Sequence, residues 1–184
     1  MANLILVTGG ARSGKSRFAE QLLTDVATVT YIATAEALDS EMETRIALHR
    51  ARRPAHWQTV ESPLHLDKAL QAATGAYVLI DCLAVWTANL LQKNWNEQTD
   101  NWAAAASPEE TILAEVQRVL EVIATRPGTV IAVTNEVGSG LVPPYRLGRV
   151  YRDVLGLANQ KLASAATQVY CCISGIPVLI KGDR

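Results

Sequence analysis

Apolar positions in this chain fall into short runs that alternate with helical stripes, and that rhythm predicts most of the secondary structure. Leu4, Ile5, Leu6 and Val7 form a continuous apolar run, as in a strand buried on both faces. Phe18, Ala19, Leu22 and Leu23 then recur at helical spacing, and residues 28–33 (T-V-T-Y-I-A) predict a second strand ending at Thr34. From Asp39 the pattern turns helical, with Met42, Ile46 and Leu48 apolar among polar neighbours, until Arg53-Pro54 breaks it. Residues 57–60 predict a short strand leading to Glu61, residues 63–73 a helix, and residues 77–80 (Y-V-L-I) a buried strand that stops at Asp81. A largely apolar helix follows over residues 82–91, and then a polar stretch over residues 93–106 with Trp95 and Trp102 embedded in it. That stretch is the expected surface excursion, its tryptophans serving as a partner surface, a lid or internal anchors.

The second half repeats the alternation. Ser107-Pro108-Glu109-Glu110 is a capping box with proline at the first helical position, and Ile112, Leu113, Val116, Val119, Leu120 and Ile123 share one face before Pro127-Gly128. Residues 129–134 predict another buried strand, followed by Asn135, Glu136 and a flexible stretch through Pro144. Residues 146–166 predict a helix, and residues 169–173 and 176–180 two last strands. Strands alternating with helices imply an α/β fold in three layers around a mainly parallel sheet. Without an internal repeat or a linker, residues 1–184 are expected to form one domain.

Composition narrows the picture. A net charge of -1 gives no global field for nucleic acid, so a basic site has to be local. The three cysteines, Cys82, Cys171 and Cys172, and the three histidines do not have zinc spacing, and an adjacent cysteine pair rarely closes on itself. A reducing cytoplasm is the expected home. No apolar stretch approaches the roughly 20 residues of a membrane span, and the N-terminus lacks the charged region of a signal peptide.

Between the first strand and the first helix lie Gly9, Gly10, Ala11, Arg12, Ser13, Gly14, Lys15 and Ser16, matching the phosphate-loop pattern G-x-x-x-x-G-K-[S/T] at every fixed position. In such a turn backbone N–H groups point at phosphate oxygens and the following helix adds the positive end of its dipole. Lys15 would reach the terminal phosphates and Ser16 would offer its hydroxyl to Mg2+. Asp81, at the end of a buried strand, has two open roles: an organiser of Mg2+, or a cap for the next helix. Glu136 ends a strand in the same way.

The densest positive charge is H-R-A-R-R-P-A-H-W, residues 49–57, where Arg50, Arg52 and Arg53 lie beside His49 and His56. Cations at a helix end stabilise it against its dipole, which accounts for the arginines. A neutral imidazole is also a competent nucleophile toward phosphorus, so nucleotidyl transfer through His49 is chemically open. Arg146, Arg149 and Arg152, three apart, read as a solvated face or a phosphate-facing edge.

Together, V-T-G-G-A-R-S-G-K-S at residues 7–16, Y-I-A-T-A at 31–35, E-M-E-T-R-I-A-L-H-R-A-R-R-P-A-H-W at 41–57, D-C-L at 81–83, N-L-L at 89–91 and T-N-E-V-G-S-G-L-V-P at 134–143 closely resemble the bifunctional adenosylcobinamide kinase / adenosylcobinamide-phosphate guanylyltransferase family. The likeness covers nearly the whole chain. It implies a RecA-like phosphate-loop fold, assembly as a homotrimer, and two steps of cobalamin biosynthesis. In the first, ATP or GTP phosphorylates adenosylcobinamide; in the second, GMP passes from GTP to the new phosphate. The resemblance implies His49 as the guanylylated residue, with His56 as the fallback. It implies nucleotide contacts at Gly9, Gly10, Ala11, Arg12, Ser13, Gly14, Lys15, Ser16, Ala33, Thr34, Ala35, Arg50, Ala51, Arg52, Arg53, Glu61 and Asp81, with Mg2+ at Ser16 and Asp81. A corrin ring needs a broad apolar groove, expected near Trp86, Trp95 and residues 137–144. The alternatives are a guanylyltransferase alone, a small-molecule kinase without a covalent intermediate, and a nucleotide-gated switch.

Overall fold

A computed structural model describes residues 3–37 and 40–183, and of Glu41, Arg45 and Arg52 the backbone only. The parallel strands are β1 (Asn3–Gly9), β2 (Val29–Ala33), β3 (Gln58–Glu61), β4 (Tyr77–Asp81), β7 (Thr129–Val133) and β8 (Gln168–Ile173). A last strand, β9 (Ile176–Lys181), turns back antiparallel on β8 through Ser174 and Gly175. The sheet order is β3-β2-β4-β7-β1-β8-β9, so one strand, β7, separates the strand leading into the phosphate loop from the strand ending at Asp81. Because β1 to β4 and β7 are parallel, all their carboxyl ends meet at one edge. The residues with candidate chemistry fall on that edge, where ligands bind in open parallel sheets.

Period-two alternation divides the buried residues between two faces. On one face Leu4, Leu6, Ile32, Ile80, Val130 and Ala132 pack against α3 (Leu66–Ala72), α4 (Leu83–Lys93), α5 (Pro108–Thr125) and α6 (Arg146–Ala165). On the other, Ile5, Val7, Tyr31, Leu79 and Val133 pack against α1 (Lys15–Gln21) and against Trp57, which follows α2 (Ser40–Arg52). Three layers result. No helix among the described residues is long and apolar enough to cross a membrane.

Most expected elements stand within a few residues of their predicted positions. The capping box forms as read: the Glu110 amide donates to Ser107 Oγ at 3.1 Å, and the Ser107 amide donates to the Glu110 carboxylate at 2.9 Å. Those bonds hold the Glu110 carboxyl below the usual range.

Several details differ. The helix after the phosphate loop stops at Gln21, so Leu22 becomes its C-cap and is exposed while Ala19 and Leu23 are buried. The helix expected from residue 63 begins at Leu66, because residues 63–65 carry the chain out of β3. The excursion over residues 93–106 carries a small hairpin of its own, β5 (Trp95–Asn96) with β6 (Asn101–Trp102). Its Trp102 packs on the core and donates its indole N–H to the Ala106 carbonyl at 2.6 Å, so it anchors the loop. Trp86, expected beside a corrin groove, is instead fully buried in α4 and donates to the Leu64 carbonyl at 3.0 Å. Its position on the inner face of an apolar helix decides this, and its N–H finds a carbonyl as a buried indole requires.

Two glycines yield opposite expectations. Gly128 has φ +93° and a Cβ there would lie 1.9 Å from the Ala76 carbonyl oxygen, whereas a Cβ on Gly156, inside α6, meets nothing within 4 Å. Gly156→Ala is expected to stabilise the protein by about 1 kcal/mol and Gly128→Ala to destabilise it by about 3 kcal/mol, read as shifts in urea midpoint at constant slope.

Candidate functional site

The loop from Gly9 to Ser16 hangs on close backbone approaches that forbid side chains. Gly9 (φ +150°) carries a Cβ position only 2.5 Å from the Cys172 carbonyl, and Gly14 (φ +90°) lies against Gly175, whose amide donates to the Ser13 carbonyl at 3.0 Å. The tip of the β8–β9 hairpin thus buttresses the loop from outside. Arg12, exposed, takes the left-handed conformation with φ 56°. Lys15 is 9% exposed and donates to the Gly10 carbonyl at 2.9 Å, which holds its ammonium over the loop.

Asp81 ends β4 beside the start of α1. Its Oδ1 accepts from the Ser16 hydroxyl at 3.3 Å and its Oδ2 from the Tyr31 hydroxyl at 2.7 Å, while His49 Nδ1 lies 3.6 Å from Oδ2. The N-cap of α4 is Cys82, without a side-chain cap bond, so Asp81 does not cap that helix. Burial first, and then the Asp81 charge, push the Tyr31 hydroxyl far above its ordinary pKa, which keeps it a donor. Burial and the same charge push the Cys82 thiol up to about 12.

The cationic segment folds over this centre. Arg53 places its guanidinium 3.4 Å from the centre of the Tyr31 ring and reaches Thr59 Oγ1 at 3.5 Å. Arg50 forms an exposed ion pair with Glu61 at the end of β3. Ala51 is exposed on α2, and the side chain of Arg52 lies outside the described residues. His56 is exposed in the turn before the buried Trp57. A cavity of about 410 Å³ opens next to Glu61, lined by Val60, Pro63, Leu64, His65 and Lys68.

Not every expected contact has a side chain to offer. Thr34 is fully buried; its hydroxyl donates to the Cys82 carbonyl at 2.8 Å and accepts from the Cys82 amide at 2.9 Å. It locks β2 to the end of β4, and Asn89 adds a bond to the Thr34 carbonyl at 2.8 Å. Ala33 hydrogen-bonds Ser62 through its carbonyl, and Ala35 is half-buried. Glu136 meets the loop through its backbone, its amide donating to the Gly9 carbonyl at 3.0 Å, while its carboxylate accepts from the Gly138 amide at 2.8 Å and shapes its own turn. Of the α6 arginines, Arg149 holds the Pro143 and Pro144 carbonyls and Arg146 reaches the Asp100 carbonyl, so they tie loops together. Tyr31 is the site residue that sequence reasoning missed. The signal was available, since alternation puts Tyr31 and Asp81 on the same face of neighbouring strands.

The donors fit Mg2+. Ser16 and Asp81 supply one hydroxyl and one carboxylate, and among the described residues no cluster of three or more His, Cys, Asp and Glu could hold a metal alone. Such a pair suits a hard cation that completes its shell with water and nucleotide phosphates.

A mainly parallel sheet with a glycine-rich phosphate loop at its carboxyl edge, a hydroxyl–carboxylate pair and a cationic helix end define a phosphate-loop α/β protein. The family description "Cobinamide kinase / cobinamide phosphate guanyltransferase" matches residues 5–180, and the chain belongs to this family. It is 47% identical over 181 residues to the bifunctional adenosylcobalamin biosynthesis protein CobU of Escherichia coli K12, covering 97% of this chain and 99% of that one. It is 42% identical over 181 residues to the bifunctional protein CobP of Pseudomonas aeruginosa, covering 97% of each. Among solved structures, a protein of Pyrococcus horikoshii OT3 (PH0250) aligns over 99% of this chain and 87% of its own with a TM-score of 0.52 at 10% identity, a likeness of fold.

Lys15→Ala is expected to weaken nucleoside triphosphate binding by about 100-fold, as loss of a charged contact to phosphate should. Calorimetric titration against wild type checks this, with the unfolding temperature changed by only a few degrees.

Proposed function

We propose that this chain phosphorylates adenosylcobinamide with ATP or GTP and then transfers GMP from GTP to the product through a guanylyl-histidine on His49, giving adenosylcobinamide-GDP. Membership of the cobinamide kinase / cobinamide phosphate guanyltransferase family supports both activities. The observation that carries the histidine is its place: His49 Nδ1 lies 3.6 Å from Asp81, whose other oxygen bonds Ser16 of the phosphate loop.

In the kinase step the loop amides and Lys15 hold the transferred phosphate. The acceptor hydroxyl oxygen forms the new P–O bond and gives up its proton to solvent, the bond between the β-phosphate oxygen and the γ-phosphorus breaks, and nucleoside diphosphate leaves. In the second step Asp81 on the Nδ1 side orients the imidazole and directs Nε2 as the attacking atom, the logic of a base held by a carboxylate. A P–N bond to the α-phosphorus forms as the α–β bond breaks, and pyrophosphate leaves. An oxygen of the acceptor phosphate then attacks, the P–N bond breaks, and His49 is regenerated. Arg50 and Arg53 neutralise charge around the transferred group. Mg2+ held by Ser16 and Asp81 would supply charge neutralisation at the phosphates. We place the protein in the cytoplasm, as its unpaired cysteines suggest, and as a homotrimer, as the resemblance implies. His56, exposed beyond the helix, takes no part in the chemistry.

Incubation with Mg2+ and α-labelled GTP is expected to give an acid-labile, alkali-stable GMP adduct that His56→Ala retains and His49→Ala loses, read by intact mass. No adduct in a folded, GTP-binding protein would leave the kinase without a covalent intermediate.

A further inference from the structure

Tyr31 has no place in the scheme above, yet its surroundings join the two halves of the site. It is 1% exposed, on the central part of β2, with Thr59 of β3 and Leu79 of β4 as its register partners. Its hydroxyl donates to Asp81 Oδ2 at 2.7 Å. Its ring carries the guanidinium of Arg53 at 3.4 Å, and the same guanidinium reaches Thr59 Oγ1 across the next strand. A core tyrosine would need one hydrogen-bond partner and packing; here the partner is the carboxylate beside Ser16, and the ring is the floor under an arginine of the cationic segment. The two attachments are chemically separable, since the first needs the hydroxyl and the second only the ring.

We infer that Tyr31 is a positioning residue that sets Asp81 through its hydroxyl and Arg53 through its ring, so that one side chain aligns the carboxylate at the phosphate loop with the cation that faces the nucleotide. The hydroxyl fixes which Asp81 oxygen remains turned to Ser16. The ring fixes where the Arg53 charge sits, because a guanidinium stacked on an aromatic face loses the swing its long stem would otherwise allow. This rests on the proposed nucleotide site, but not on the histidine adduct or the corrinoid.

The test is binding of a fluorescent GTP analogue to the full chain, titrated with Mg2+ and repeated in EDTA, for wild type, Tyr31→Phe, Tyr31→Leu, Arg53→Lys and Tyr31→Leu/Arg53→Lys. Tyr31→Phe keeps the ring and is expected to raise the Mg2+ concentration for half-maximal binding about tenfold while leaving EDTA binding unchanged. Tyr31→Leu is expected to weaken EDTA binding as well, by about five-fold, and that additional loss should vanish in the Arg53→Lys background. A merely structural tyrosine would lower the unfolding temperature in both variants without moving the Mg2+ dependence. Wild-type Mg2+ half-saturation in a folded Tyr31→Phe protein overturns the hydroxyl's role. An EDTA loss in Tyr31→Leu that persists with Arg53→Lys overturns the ring's role. Failure of wild type to bind the analogue at all would instead overturn the nucleotide site itself.

Discussion

The carboxylate of Asp81 is the point at which three separately folded elements agree. Ser16 comes from α1, Tyr31 from β2 and His49 from α2, and each directs a polar atom at the same two oxygens. A carboxylate only 11% exposed is costly unless donors surround it, so the arrangement holds only while β2 and β4 keep their register and α2 stays seated. Trp57 and Thr34 support it from either side: the tryptophan anchors the chain just beyond α2 in the core, and the threonine clamps the peptide that follows Asp81. Function here depends on packing some distance from any phosphate.

The same geometry explains how one nucleotide region can serve two transfers. In the proposed mechanism the backbone amides and Lys15 address the terminal phosphates, where kinase chemistry breaks the last bond. His49 and Arg50 near the end of α2, and Arg53 just beyond it, reach the site from the other side of Asp81, where the proposed attack on an earlier phosphorus needs a nucleophile and cations. Asp81 lies between them and faces both.

Much of this was legible in the residues. Buried strands announced themselves as apolar runs, and the phosphate loop by its fixed glycines, because close backbone contact at Gly9 and Gly14 admits nothing larger. The capping box at Ser107 was equally plain, being a local device. What could not be read were consequences of tertiary placement. Trp86 and Trp102 became anchors because of what packs over them, and Leu22 was exposed because α1 ended early. The resemblance places Thr34 among the nucleotide contacts, and the residues gave no sign that its hydroxyl pairs with Cys82, 48 positions away. Asp81 could have been a cap or a ligand; the cap position falls on Cys82, and Asp81 instead accepts from Ser16, 65 positions distant. The β8–β9 hairpin gave no hint that its tip props the loop, since Gly175 contacts Ser13 through backbone alone.

The most direct measurement is the single-turnover rate of guanylyl adduct formation in Asp81→Asn, with Mg2+-dependent GTP binding followed in the same protein. Asparagine keeps the size of the side chain and removes its charge. If Asp81 aligns both the phosphate loop and His49, adduct formation and the Mg2+ dependence of binding fall together in a folded protein. A folded Asp81→Asn enzyme that forms the adduct at the wild-type rate would contradict that account.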